Sequence, residues 1–191
     1  VVLASLGAFL SAGCEDSSAA GPGGTAGAGG GVDPTSPEAY LTPGSYDCSA
    51  AGPFEPPPRP HAADCYADSG CSSPLVAGHR MATPFAPENS LSALRAAILL
   101  GVDIVETDVR STSDGVVVLI HDSTIDRTLE GSGEVGLLTL AELQAIAMSA
   151  EGKPAGDFGC DRVPTLEEAM AVAAGKVVVE LEVKESEAGV Q

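Results

Sequence analysis

Three Val- and Ile-rich runs, "VDIVETDV", "GVVVLIHD" and "KVVVELEVK", constrain this chain most, because each is nearly unbroken in its apolar character and each ends in charged residues. A shorter run, "LVAGH", precedes them. Continuous apolar strands belong to sheets covered on both faces, which are mostly parallel and need crossover helices. Helical segments stand between the runs as that topology requires. "NSLSALRAAILLG" has Ser90 placed as an N-cap and Gly101 past its end. "TLAELQAI" and "TLEEAMAVAAG" each open with Thr and carry Glu three residues later, the signature of a capping box. "GVVVLIHD" is entered through the turn "SDG". The expectation is an α/β fold around a parallel sheet with strands buried on both faces.

The residues before this region differ in kind. Residues 1–13, "VVLASLGAFLSAG", are apolar, uncharged and lead directly into Cys14. They resemble the apolar region of an export signal, and "LSAGC" resembles a lipobox whose cysteine becomes lipid-anchored. A transmembrane helix needs about 20 apolar residues, and Glu15 and Asp16 interrupt this run. Residues 14–44 are Gly-, Pro- and Ser-rich and are expected to be a flexible tether. Residues 45–73 form a Cys- and Pro-rich extension, within which "GPFEPPPRPH" reads as extended polyproline and His61 as a solvated loop residue. The first 70 or so residues are expected to contribute little to a core, and residues 74–191 to hold the folded domain.

Beyond Cys14 stand Cys48, Cys65, Cys71 and Cys160. Four cysteines in an exported chain imply two disulfides, for which three connectivities exist. A small Cys65–Cys71 loop with a long-range Cys48–Cys160 staple is the expected one. The spacings are not those of paired Cys-x-x-Cys zinc knuckles.

Composition narrows the partners. Nine basic residues face 27 acidic ones, a formal net charge of -18. Such a surface repels nucleic acid, which is held chiefly by Lys and Arg on phosphate. Tryptophan is absent, so a stacking platform for bases is not in view. A phosphate ester would have to be gripped locally, by a cation and a few basic side chains. No protein partner is inferred.

Those side chains fall at strand ends. Glu106 and Asp108 are two apart and share one face of a strand, as do Glu180, Glu182 and Lys184. His79 and Arg80 follow the first run, and His121 and Asp122 the third. In parallel α/β folds the C-terminal strand ends are where ligands bind. Burying carboxylates on apolar strands demands partners. Glu106, Asp108 and Glu182 offer an all-oxygen set suited to Ca²⁺ or Mg²⁺, although internal ion pairs such as Glu182 with Lys184 could also satisfy them. Two imidazoles beside a cation suit acid–base chemistry near neutral pH. Arg80 and Lys184 suit phosphate oxygens.

The ordered series "GHR", "PENS", "VETDVRSTSDG", "IHDSTIDRT", "GSGEVGLLTLAEL", "VPTLEEAM" and "ELEVK" strongly resembles the glycerophosphodiester phosphodiesterases over about residues 75–185. The resemblance implies a (β/α)8 TIM-barrel type fold, of which about the first four βα units are present. It also implies metal-assisted hydrolysis of a glycerophosphodiester to glycerol phosphate and an alcohol. Carried over, His79 and His121 are the acid–base pair, and Glu106, Asp108 and Glu182 the metal ligands. Arg80 and Lys184 contact phosphate, while Glu88 and Asn89 support the site and orient the substrate or the first histidine. Residues from about Asp126 to Val163 correspond to the insertion that, in this family, overhangs the mouth and recognises glycerol. One departure is Met81, where the family usually has Gly, and a barrel would need further strands, so the sequence reads as part of a longer product. A phospholipase D-like relative acting on lysophospholipid or sphingomyelin, and a non-catalytic metal-stabilised envelope lipoprotein, are the alternatives. The expected location is the bacterial cell envelope, on a lipid anchor at Cys14.

Overall fold

The structure, a computed structural model, describes residues 32–33, 35–42, 44–50, 54, 62–150 and 156–184. The export signal, Cys14, most of the tether and His61 lie outside the described residues. The helices are α1 (Glu38–Leu41), α2 (Ala62–Ala67), α3 (Leu91–Leu99), α4 (Leu140–Gln144) and α5 (Leu166–Ala173). The strands are β1 (Tyr46–Asp47), β2 (Ala77–Gly78), β3 (Ile104–Ser111), β4 (Val117–Leu119), β5 (Gly156–Asp157) and β6 (Val178–Val183).

β3 is the centre of the main sheet. β2 pairs with its first residues in parallel, Gly78 opposite Val105, and β6 runs parallel along Ile104 to Val109. The crossover helices α3 and α5 pack on this sheet, and their starts are capped as the sequence predicts: Ser90 Oγ accepts from Ala93 N, and Thr165 with Glu168 forms a complete capping box. Gly101 follows α3 with φ 78°, the left-handed turn that glycine adopts without strain. This is the start of a TIM-type barrel.

Of the four apolar runs, three form parallel strands. The run at 115–122 instead folds back as a hairpin, with β4 antiparallel to β3 through Val109↔Leu119 and Ser111↔Val117. The reason is local: "SDG" closes a tight turn stabilised by Thr112 Oγ1 and Val116 O, too short for a crossover. β3 therefore overshoots the other strands, and β4 returns the chain to their level.

Burial on both faces holds for β3, where Val105, Thr107 and Asp108 are fully buried. It does not hold for β6, whose residues from Glu180 onward are exposed, Val183 at 69%. Among the described residues β6 pairs with β3 alone, so one edge and one face have no cover.

The extension is more structured than composition implies. The expected tether over 14–44 ends by α1, because Ala39 and Tyr40 are buried in the core. Tyr40, Tyr46 and Phe158 stack with centroids 4.5 and 4.9 Å apart, contacts that contribute about 0.5–1.5 kcal/mol each beyond burial. Few apolar residues suffice here because these are large rings. β1 pairs with β5, and disulfides Cys48–Cys160 and Cys65–Cys71 join the expected cysteines. The first staples the extension to the domain across 112 residues.

A second core gathers Val118, Ile120, Ile125, Leu129, Val135, Leu143 and Val163. It holds the insertion, including α4 and its Thr139–Glu142 capping box, against the outer part of β3 and β4. This small core anchors the loop that begins with His121.

Candidate active site

The backbone around "GHRMATPFAPEN" explains how the first cluster forms. A Cβ on Gly78 would overlap Met81 O, so only glycine lets the chain turn this tightly after β2. Arg80, Met81 and Asn89 then all adopt positive φ, at 49°, 71° and 55°. Among the described residues these are the non-glycine positions with such backbone, and all three border the candidate site. Strain held at a site in this way requires surrounding contacts that over-determine it. Met81 shows why glycine is usual in the family: the position is left-handed. Here a methionine occupies it, 2% exposed, with its N–H donating to Glu106 O at 3.0 Å.

The three carboxylates meet. Glu106 and Asp108 from β3 and Glu182 from β6 each place an oxygen within 4.8 Å of the other two. Pairing of Asp108 opposite Glu182 in the sheet brings this about. Glu106 Oε2 accepts from the Arg80 N–H at 2.8 Å, while its buried Oε1 has no hydrogen-bond partner among the described residues. Burial raises the Glu106 pKa, the Arg80 N–H opposes that, and the Asp108 charge adds to it. A buried carboxylate oxygen without a partner, on a residue that clusters with two further carboxylates, is what a hard divalent cation would complete.

Asp108, fully buried, has Oδ2 hydrogen-bonded and Oδ1 within ion-pair distance of a lysine but without a hydrogen bond among the described residues. Its Oδ2 accepts from Asn89 Nδ2 at 3.0 Å and lies 3.6 Å from Arg80 Nε, while Oδ1 lies 3.3 Å from Lys184 Nζ. Asn89 is buried, and its Oδ1 accepts from Thr107 Oγ1 at 2.8 Å. Its amide is thus spent on Asp108 and Thr107, so the structure makes it a support for a carboxylate. Lys184 Nζ also lies 2.5 Å from Glu182 Oε1, and the pair raises the lysine pKa, Glu182 contributing most. Both readings of the sequence therefore coexist: Glu182 is in the carboxylate cluster and in the ion pair.

One histidine reaches this cluster directly. His79, 71% exposed, has Nε2 3.9 Å from Glu106 Oε2. His121 lies beyond β4, with Nδ1 2.6 Å from Asp122 Oδ1. Arg127 Nε donates to Asp122 Oδ2 at 2.7 Å. That bond lowers the Asp122 pKa to about 2, with the contact to His121 assisting. An ionised carboxylate only accepts, so Nδ1 of His121 carries the proton and Nε2 is the nitrogen left for chemistry.

Glu88 connects the two halves. Its carboxylate accepts from Arg80 Nη1 at 2.9 Å and from both terminal nitrogens of Arg127, at 2.7 and 2.8 Å. Burial alone would raise its pKa, but the two guanidiniums lower it. Glu88, expected to orient the substrate or the first histidine, has its carboxylate on two arginines and is an anchor for them.

Sequence reasoning assigned no role to Asp122, Arg127 or Arg110. Asp122 stands next to His121 in "IHDSTIDRT", which was the available signal. Arg127 and Arg110 stand in the same quoted series, but their partners, 39 and 74 residues away, are not encoded by local spacing. Arg110 Nε donates to His121 O at 2.9 Å and its Nη1 to Lys184 O at 3.0 Å.

Comparison with known proteins places this arrangement in context. Residues 79–189 match the Glycerophosphoryl diester phosphodiesterase family. Human glycerophosphodiester phosphodiesterase 1 is 42% identical over 93 residues, 49% of this chain and 28% of that protein. A glycerophosphodiester phosphodiesterase of Caldanaerobacter subterraneus subsp. tengcongensis is 40% identical over 111 residues, 58% of this chain and 45% of that protein. The chain thus spans less than half the length of these relatives. Among solved structures, an Oleispira antarctica phosphodiesterase in complex with the product sn-glycerol-3-phosphate aligns with TM-score 0.56 and 35% identity, covering 60% of this chain and 46% of that one. Glycerophosphodiester phosphodiesterase from Agrobacterium tumefaciens aligns with TM-score 0.52 and 35% identity, covering 58% and 47%.

Proposed function

The chain belongs to the Glycerophosphoryl diester phosphodiesterase family, and from that premise we propose that it carries the site of a metal-dependent enzyme releasing glycerol 3-phosphate and an alcohol from glycerophosphodiesters. The observation that carries this reading is the convergence of Glu106, Asp108 and Glu182 beside the His79 imidazole and the Arg80 and Lys184 side chains. The product found in the Oleispira antarctica neighbour supports the choice of substrate class.

Glu106, Asp108 and Glu182 would hold the divalent cation, Ca²⁺ or Mg²⁺, whose chemistry is to polarise phosphoryl oxygens and offset charge in the transition state. Arg80 and Lys184 present positive charge beside the same carboxylates and would receive the remaining phosphate oxygens. His121, with its Nδ1 proton held by Asp122, offers Nε2 for proton transfer, and His79 offers the second imidazole. One imidazole takes a proton from the attacking water as its oxygen forms the new P–O bond. The other gives a proton to the leaving alcohol as the old P–O bond breaks. The insertion at about 126–163 would overhang the glycerol end.

We also place the domain outside the cytoplasm, on a lipid anchor at Cys14. Two disulfides support an oxidising compartment. Loss of membrane association in a Cys14→Ser variant is the expected result, and unchanged association would remove the anchor.

The test is release of glycerol 3-phosphate from glycerophosphocholine by the full-length protein, with and without chelator, beside His79→Ala. Activity that survives chelation or loss of His79 would overturn the mechanism. Choline released from lysophosphatidylcholine, with glycerophosphocholine left intact, would point to the phospholipase D-like alternative.

A further inference from the structure

β3 runs past the level of the carboxylates, and its overhang separates two segments that carry chemistry. On one edge, β4 pairs with Val109 to Ser111 and delivers His121. On the other, β6 reaches Val109, and the Lys184 N–H donates to Val109 O at 3.0 Å as the strand ends. β4 and β6 thus each pair with β3, on opposite sides of it. The ladder bonds Lys184 and Ile120 to β3, through their N–H groups to Val109 O and Asp108 O, and ends there, one residue short of His121.

Arg110, half-buried on that overhang, reaches both. Its Nε donates to His121 O and its Nη1 to Lys184 O. A guanidinium is planar and its donors sit in a fixed fork, so two acceptors held by one such group are held at a set separation. The two carbonyls it takes belong to the residues proposed as an acid–base group and a phosphate contact.

We propose that Arg110 is a positioning residue, whose guanidinium fixes the separation of His121 and Lys184 by holding both main-chain carbonyls. It touches no reacting atom. Its kinetic consequence rests on the phosphodiesterase reading, whereas the clamp itself does not.

The experiment uses the full-length protein with Arg110→Met and Arg110→Lys. In Arg110→Met, amide hydrogen exchange is expected to rise about tenfold together in peptides spanning residues 120–124 and 182–184, with α3 unchanged. In Arg110→Lys, a single point charge reaches one carbonyl, so one of the two peptides loosens. Exchange unaltered at both segments in either variant overturns the clamp. This holds whatever the activity, and if Arg110→Met fails to fold, the lysine variant decides.

For glycerophosphocholine hydrolysis, Arg110→Met is expected to lower kcat about 10- to 100-fold, the usual scale for losing support of a catalytic group, with a smaller change in KM. Arg110→Lys should be intermediate. In a His121→Ala background the same Arg110→Met change should cost no more than about threefold, because both carbonyls remain but the imidazole that the clamp positions is gone. An equal loss in both backgrounds would mean a general structural role and would overturn the proposal. If the parent protein releases no glycerol 3-phosphate, the functional reading fails, and exchange alone decides the clamp.

Discussion

Arg127 Nε lies 2.7 Å from Asp122 Oδ2, and this contact reaches the proposed chemistry through one further bond, from Asp122 to His121 Nδ1. The arginine lies five residues from the carboxylate it holds and 39 from Glu88, which it also grips. Its two partners come from different loops, so it fastens the loop carrying His121 to the loop carrying Arg80.

Replacing Arg127 with Gln should let the Asp122 pKa rise from about 2 toward the ordinary carboxylate value of 3.8. The sign follows from a depressed folded-state pKa: Asp122 stabilises the fold above 3.8, and that contribution is lost as pH falls toward 2. Wild type should therefore exceed the variant in stability at pH 5 and converge with it near pH 2, measured by denaturant unfolding at both. A gap that stays constant with pH would contradict this. At neutral pH the variant should lose about tenfold in kcat through a loosened imidazole.

Glu106, Asp108 and Glu182 should make the fold respond to divalent cations independently of activity. At free Mg²⁺ or Ca²⁺ about 100 times its Kd, linkage gives about 2.7 kcal/mol of added stability. Glu106→Gln should lose that response. Without metal, however, the same variant should equal or exceed wild type, since it removes a buried charge whose pKa is already raised by burial and by Asp108. Thermal unfolding with chelator and with each ion measures both effects, and an undiminished metal shift in the variant would exclude Glu106 as a ligand.

Asp161 predicts a pH effect of the opposite sign. It is buried beneath the extension, with Oδ1 accepting from Ser92 Oγ at 2.9 Å and Oδ2 without a hydrogen-bond partner among the described residues. Ser92 Oγ in turn lies 2.7 Å from Tyr46 OH. Burial raises the Asp161 pKa to about 6. A raised folded-state pKa means that its stabilising contribution is fully present below 3.8 and is lost as pH rises through about 6. Asp161→Asn keeps an acceptor for Ser92 and carries no charge. It should be more stable than wild type at pH 7 and should lose that advantage by pH 4. Urea denaturation at the two pH values checks this, and equal differences would show that Asp161 is not the group responsible.

Met81→Gly sets two costs against each other. Glycine would relieve the left-handed strain at φ 71°, worth about 1–2 kcal/mol. It would also remove a buried methionine side chain, and such deletions cost about 2–5 kcal/mol. The net expectation is destabilisation of about 0–4 kcal/mol from the same two terms, read by denaturant unfolding. A variant more stable than wild type would mean that strain dominates.

Much of the site was legible in the sequence because it depends on short-range periodicity. Glu106 and Asp108 share a face because side chains alternate along a strand, and the caps at Ser90, Thr139 and Thr165 are local hydrogen bonds. Residue types alone told which groups could ligate, titrate or grip phosphate. Tertiary structure decided whatever required two distant segments to meet: the hairpin that turned β4 antiparallel, the register setting Asp108 opposite Glu182, and the packing of Tyr40 and Tyr46 against Phe158. It also decided the reach of Arg110 and Arg127, whose long side chains find partners that no spacing along the chain encodes. Local preference is written residue by residue, whereas a pairing between remote segments exists only once the whole sheet has chosen its order.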